Sequence, residues 1–441
     1  MENKRKRNWI YTISRGKRIA LFASLLMATV GTPVFSQNEG TRQYTLDECL
    51  NEAVRNNLQL RNADRQIQMS AEQRKQAFSG YFPTISAMGG GFISNKGFIQ
   101  MDLGVTSMSL AKDGVAVGVT ALQPLFAGGQ IVNGNKLARV GEEASRLQRS
   151  LTENEVRLNT ETYFWQIVML KEKLITLDQL DKQLATVLKD AQAAVDAGLR
   201  NRNDLLQAKL RKNEVATSRI QVENSLNVCR DMLSQVMGHT GENIDIQQNA
   251  TTADDPQQYY QPAETALEQT AEYQLLDKQI ESSRLQYKMA VGKNLPTVAV
   301  GAGYLFNNVM DKSQSNVVGM FTVSVPISGW WGGSHDIKRQ RLQVENDISD
   351  KQRQSELLVI RMRKAWNDLT DAYRQLDIAR ESIAQSEENL RLNTDYYEAG
   401  TSSISDVLDA QSLYQQSRDK YVEAFSNYET KKREYLQATG R

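Results

Sequence analysis

Paired residues 202 positions apart constrain this chain more than any other feature of its sequence. Ala197-Gly198 returns as Ala399-Gly400, and Asp204, Leu206 and Ala208 return as Asp406, Leu408 and Ala410. Gly238, closing a helical stretch, returns as Gly440, and Pro124-Leu125 as Pro326-Ile327. Upstream, Tyr81-Phe82-Pro83-Thr84 resembles Asn294-Leu295-Pro296-Thr297 at a spacing of 213, so the segment between the prolines is 11 residues shorter in the second copy. A length difference of that kind belongs to a surface loop. The chain therefore reads as two copies of one unit, residues 37–238 and 263–441. Between them residues 239–262, rich in Gln, Asn and Asp, read as a linker.

Each copy has the same order: helix, two strands, a very long helix, a turn and a returning helix. Leu170, Leu174, Leu177, Leu184, Leu188, Ala191 and Val195 follow alternating 4/3 spacing broken only by Asp181. Ala372, Leu376, Ala379, Ile383 and Leu390 repeat it towards Tyr397, and Val222, Leu226, Cys229, Leu233 and Val236 carry it into the returning helix. Spacing of this kind predicts coiled-coil packing. Residues 130–197 as one helix rise ~100 Å, while 46–80 and 203–237 rise ~50 Å each. Two short helices stacked end to end then match one long one, which predicts a tall helical cylinder. A stack joined near residue 46 sets Cys49 and Cys229 ~18 Å apart, so no disulfide is expected between them.

Strands are expected at about 82–94, 114–126, 295–307 and 316–328. In 297–306, Val298, Val300, Ala302, Tyr304 and Phe306 alternate with Thr297, Ala299, Gly301 and Gly303. In 317–327, Val317, Phe321, Val323, Val325 and Ile327 alternate with Met320, Thr322 and Ser324, and Val115, Val117 and Val119 repeat the pattern in the first copy. One apolar face against a small or polar one, over about ten residues, is the pattern of a transmembrane β-barrel. Phe82, Phe126 and Trp330-Trp331 fall where strands meet helices and suit an aromatic girdle at the lipid interface. A soluble β-sandwich fits less well, because the alternate positions are too small to fill a packed core. Four strands do not close a barrel, which needs about eight, so several chains must contribute. Strand count alone allows a dimer or a trimer.

Residues 1–36 read as a signal peptide. Lys4, Arg5, Lys6, Arg7, Arg15, Lys17 and Arg18 precede a short apolar run at 19–30, and Val34-Phe35-Ser36 offers a cleavage site before Gln37. No Cys stands at the cut, against a lipid anchor. Without that segment the 53 basic and 52 acidic residues become 46 and 51, which offers nothing to nucleic acid. No later apolar run reaches the ~18 residues of a membrane helix, so any membrane span is a barrel. Two cysteines make no disulfide framework, and the two histidines, His239 and His335, have no metal-ligand spacing. Nucleotide-binding, Gly-x-Ser-x-Gly and His-Glu-x-x-His motifs are absent from the sequence. No cofactor, metal or catalytic residue is expected.

Pro124-Leu125-Phe126-Ala127-Gly128-Gly129 at a strand-to-helix junction resembles the Pro-Leu-Phe-x-Gly-Gly signature of the TolC-like outer-membrane efflux proteins. The stretch from Tyr397-Glu398-Ala399-Gly400 to Asp409-Ala410 is similar to that family's periplasmic tip turn. The resemblance implies a homotrimer whose 12-stranded barrel in the outer membrane continues as a periplasmic α-helical barrel. It implies a periplasmic membrane-fusion adaptor and an inner-membrane pump as partners, and outer-membrane lipid around the barrel. It places a gate at the tip, where Gly198 and Gly400 open the turns and Asp406 and Asp409 form carboxylate rings. Tyr397, Asn203 and Asp204 match positions of the closing network, but an Arg common in it is Ser402 here. Ser403-x-x-Asp406 and Asn201-x-x-Asp204 also have the form of capping boxes, so Asp406 and Asp204 suit a capping role as well. Asp409 has Gln207 as its counterpart, and capping symmetry does not demand it. The competing readings are a trimeric outer-membrane-anchored structural or adhesin protein and the periplasmic adaptor itself. The first expects contiguous C-terminal strands, the second a β-module flanking one hairpin; neither pattern is present.

Overall fold

The computed structural model describes residues 42–95, 99–102, 107–110, 113–198, 200–247, 252–309, 312–327 and 329–441. The proposed signal peptide lies outside the described residues. Helix dominates. In the first copy β1 (Arg42–Tyr44), α1 (Leu46–Asn56) and α2 (Leu58–Ser79) lead into β2 (Thr84–Ile93). A small hairpin, β3 (Ile99–Asp102) and β4 (Ser107–Leu110), separates β2 from β5 (Asp113–Ala127), and α3 (Gln130–Asp196) and α4 (Arg202–Met237) follow. After β6 (Ile244–Ile246), the second copy runs α5 (Ala263–Leu267), α6 (Ala271–Lys293), β7 (Thr297–Val309), β8 (Lys312–Ser324), α7 (Gly329–Glu398) and α8 (Ile404–Ala438).

The long helices α3 and α7 have 67 and 70 residues, a rise of ~100 Å each. α3 is flanked by α2 and α4, and α7 by α6 and α8. The heptad reading holds in the packing. Leu170, Leu177, Leu184 and Ala191 are buried, and Leu174, Leu188 and Val195 are half-buried. Asp181, the break in the pattern, lies 3.9 Å from Lys212 of α4. Phe164, Trp165 and Phe425 stack edge to face at 5.3 and 5.5 Å and tie α3 to α8.

The helix expected over 46–80 is broken. Asn57 ends α1 and caps α2, its Oδ1 accepting from the Gln59 and Leu60 amides at 2.8 and 3.4 Å. Its Nδ2 donates to the Val236 carbonyl at 2.9 Å, satisfying an acceptor that the end of α4 leaves open. Gly238, at φ +80°, passes so close to Asn56 that a Cβ would sit 2.9 Å from its carbonyl oxygen. The end of α4 therefore meets the chain at Asn57, and α1 lies beside α3 and α4. This corrects the geometric reason given for unlinked cysteines. Cys49 is buried in the cluster around Phe164 and Leu233 that Cys229 borders. Both thiols are nonetheless free, and burial pushes that of Cys49 up to about 12.

Residues 239–262 contain more than a tether. β6 pairs in parallel with β1, and its Asp245 bonds Lys171 of α3 at 3.0 Å and Arg230 of α4 at 2.9 Å. Those two cations hold its carboxyl below the usual value despite partial burial.

The strands form one antiparallel sheet in the order β2-β5-β7-β8. Across it Ala87, Val119, Tyr304 and Val317 stand in register, as do Ala121 and Ala302 with Ile85 and Gly319. That face also holds Val115, Val117, Val300, Phe306 and Phe321. The other holds Ser86 bonded to Thr120 at 2.9 Å, with Gly118, Gly301 and Gly303; Leu305 and Met320 depart from its small or polar pattern. A bulge lies between Pro124 and Phe126. It brings Phe126 opposite Val298 on the apolar face, where unbroken alternation would have put Leu125. Gly128 and Gly129, at φ +59° and +74°, then turn the strand into α3.

Candidate functional site

The two helical hairpins end in similar turns. In the first, Gly198 sits at φ +73° and donates its amide to the Val195 carbonyl at 3.0 Å. In the second, Gly400 at φ +76° donates to Tyr397, and the Thr401 amide reaches the Tyr396 carbonyl at 2.9 Å. Left-handed glycine lets each helix close its last carbonyls without Cβ strain.

The turns differ in what starts the next helix. Ser403 and Asp406 form a reciprocal capping box. The Asp406 Oδ2 accepts from the Ser403 amide at 2.9 Å, from Ser403 Oγ at 2.7 Å and from Ser402 Oγ at 3.1 Å. These donors favour the charged form and hold its carboxyl below the ordinary value. In the first turn the box expected at Asn201 and Asp204 does not form. Asn201 Oδ1 accepts from the Asn203 amide at 3.1 Å instead, and among the described residues the half-exposed Asp204 carboxylate takes no partner. Asn203 is exposed and contributes its backbone to this cap. Asp409, one turn beyond Asp406, is exposed and likewise without a hydrogen bond or ion pair among the described residues.

Tyr397 joins the hairpins. It is half-buried against the cluster that holds Leu205, Ile404 and Leu408. Arg200, from the first turn, lays its guanidinium 4.5 Å from the Tyr397 ring centroid and donates Nη2 to the Tyr397 carbonyl at 3.2 Å. Arg200 was not singled out from the sequence. The signal was present: at the 202-residue spacing it is the counterpart of Ser402, so the cation missing from the second turn stands in the first. A second tie lies further along, Arg211 of α4 to Gln415 of α8 at 2.9 Å.

At the other end of the helices, Phe82 and Phe126 are about half exposed and Trp331 is 74% exposed. Phe78 packs edge-on against Tyr81 and Phe82 at 5.5 and 5.7 Å. The side chain of Trp330 lies outside the described residues.

The family described as Outer membrane efflux protein matches residues 49–239 and 263–441. No curated protein matches the sequence. Among solved structures, the CmeC outer membrane channel of Campylobacter jejuni has 16% identity and a TM-score of 0.77, covering 90% of this chain and 85% of that one. The outer membrane protein VceC of Vibrio cholerae has 12% identity and a TM-score of 0.76, with 90% and 96% covered. The open-state MtrE outer membrane channel of Neisseria gonorrhoeae gives 14% and 0.70, with 90% and 88% covered. At such identities these likenesses show the fold, while the family match carries the function. The adhesin reading gains no support from any of them. The chain belongs to the outer membrane efflux protein family, a family of channels rather than enzymes, and is an outer-membrane exit duct of efflux systems with a large periplasmic helical portion.

Proposed function

We propose that three copies of this chain close a 12-stranded barrel, and that their helices continue it as one periplasmic cylinder. One observation carries this reading. Among the described residues of one chain the sheet ends in two unpaired edges, β2 and β8, and its apolar face is uncovered: Ile85, Val317 and Phe321 are 72%, 81% and 67% exposed. Open edges are costly in lipid and prone to pairing in water, and a bare apolar face is unfavourable in water; joining β2 of one copy to β8 of the next removes both edges, with lipid covering the face. Phe82, Phe126, Trp330 and Trp331 then form the interfacial girdle. A periplasmic adaptor and an inner-membrane pump deliver cargo to the open end, for efflux or for type I secretion. The chain has no catalytic activity of its own; energy enters at the pump. The mature protein starts at Gln37, with repeats at 37–238 and 263–441 and the 239–262 linker between them.

The tip of the hairpins is the gate. Asp406 and Asp409, repeated by three-fold symmetry, form two rings of like charge that attract cations and repel one another. Tyr397, Asn203 and Asp204 line the same closure, and Arg200 holds Tyr397 in place. Light scattering and chemical cross-linking of the detergent-purified protein are expected to give a trimer. A monomer, or a dimer as the largest species, would overturn the 12-stranded barrel.

A further inference from the structure

A groove of ≈ 670 Å³ runs between α2 and α3 just below the sheet. Arg74, Lys75, Lys136 and Arg139 line it, together with Phe78 and Tyr81. Glu142 is its one carboxylate, already bonded to Arg74 at 3.2 Å and Arg146 at 2.8 Å. Lys136 is exposed and takes no acidic partner among the described residues. Phe78 and Tyr81 belong to the aromatic cluster that includes Phe82, so the groove is continuous with the proposed lipid girdle.

The second copy repeats the charge. Taking the twelve residues of α2, α3, α6 and α7 nearest the sheet, nine are cationic and two acidic, Glu72 and Asp336. The whole chain has 53 cations against 52 acids, so the excess is local to this level. The second copy contributes Arg284, Lys288, Lys293, Lys338 and Arg339. All but Arg339, which bonds Asp336 at 2.6 Å, are exposed without an ion pair among the described residues. Of the nine, Arg74, Lys75, Arg139 and Arg339 are paired, Lys75 with Glu72 at 2.7 Å and Arg139 with Glu143 at 3.0 Å; the other five have no ion pair among the described residues, unlike helix faces elsewhere such as Arg391 with Glu388 and Asp395.

We propose that this collar binds the phosphate headgroups of anionic phospholipid in the periplasmic leaflet, with the α2–α3 groove as its principal site. The inference rests on the outer-membrane barrel reading. Depth favours lipid. Lys75 and Lys136 lie four and six residues from the sheet-side ends of their helices, ~6 and ~9 Å at helical rise. The headgroup layer is ~5–8 Å thick on each side of the hydrocarbon, and long cationic side chains extend towards it while their stems cover apolar surface. The groove volume falls within the ~300–1,000 Å³ of small-molecule sites.

The test uses the full-length trimer in vesicles of phosphatidylcholine with or without phosphatidylglycerol, reading lipid retained after detergent exchange by native mass spectrometry. Wild type is expected to retain phosphatidylglycerol in preference to phosphatidylcholine, less so at high salt. K75Q/K136Q is expected to lose about thirtyfold in that preference, about fivefold per cation near an anionic surface, and K75R/K136R to keep it. Oligomeric state and helix content, read alongside, separate loss of lipid from loss of the trimer; a monomeric wild type would instead sink the barrel reading. Equal retention of both lipids by a trimeric wild type would overturn the proposal. So would retention on isolated cell-wall sacculi that K75Q/K136Q abolishes while lipid preference stays unchanged, which would assign the collar to a wall polymer.

Discussion

Asp406 and Asp409 lie one helical turn apart yet have different surroundings. Asp406 accepts three hydrogen bonds within its own turn, whereas Asp409 is exposed and without a partner among the described residues. Asp406 is therefore a cap as well as a proposed gate residue, and Asp409 is the cleaner test of the gate proposal. Asp409→Ala is expected to weaken divalent-cation block of conductance from the periplasmic side several-fold, with the trimer intact. Asp406→Ala should do the same and also loosen the start of α8, because the Ser403 amide loses its carboxylate acceptor while the Ser403 Oγ cap on the backbone amide of residue 406 remains. Planar-bilayer recordings decide; unchanged block in the double variant removes both residues from the gate. Arg200 invites a sharper comparison, because it meets the ring and the backbone carbonyl of Tyr397 and leaves the hydroxyl alone. Arg200→Ala should raise resting conductance five- to thirtyfold, as about 1–2 kcal/mol of stacking and charged hydrogen bonding is lost. Tyr397→Phe should leave it near wild type, and equal effects from both would sink this account. The Ser403–Asp406 cap was legible in the sequence because capping is local. The same pattern at Asn201 and Asp204 misled, since Asn201 closed a tighter turn on the Asn203 amide.

Elements here are set by glycines and by Asn57 as much as by apolar spacing. Gly128 and Gly129 are adjacent, both at positive φ, and serve different purposes. A Cβ on Gly128 would sit 2.0 Å from the Gly292 carbonyl oxygen, backbone that has nowhere to move, whereas one on Gly129 meets only the Asn133 side chain at 3.5 Å. Gly129→Ala is expected to cost ~1–2 kcal/mol of left-handed strain and still assemble. Gly128→Ala adds the clash and should sharply reduce assembled protein in the outer membrane. Quantitative blotting of membrane fractions checks this, and equal yields would show that the crossing of Gly128 over Gly292 adapts. The turn itself was readable from Pro-Leu-Phe-Ala-Gly-Gly. The crossing was not, because its partner lies 164 residues away. Phe126 was placed in the girdle from its position alone, yet it is the bulge after Pro124 that puts it on the apolar face.

As a whole molecule the chain is written for partners. Its helices bury their heptad positions internally, while the sheet leaves both edges and its apolar face open. Mass measurement of protein purified from the outer membrane should give a chain lacking 36 residues and starting at Gln37. A retained N-terminus would contradict the signal-peptide reading of the basic segment followed by residues 19–30.

Sequence by itself determined what is periodic or local: the two-fold repeat, the long heptad helices, the strand alternation, the glycine turns and the Ser403 cap. The repeat is a likeness at one fixed spacing, and each of the others depends on residues within a turn, a heptad or a pleat of one another, so spacing alone encodes them. Tertiary structure decided the rest. It put the helix joint at Asn57, where a side-chain amide satisfies the Val236 carbonyl 179 residues away. It seated Arg200 on Tyr397 across 197 residues, and drew α2 and α3 together so that scattered cations became one groove. These contacts join segments distant in the chain, and their geometry exists only once the long helices have packed.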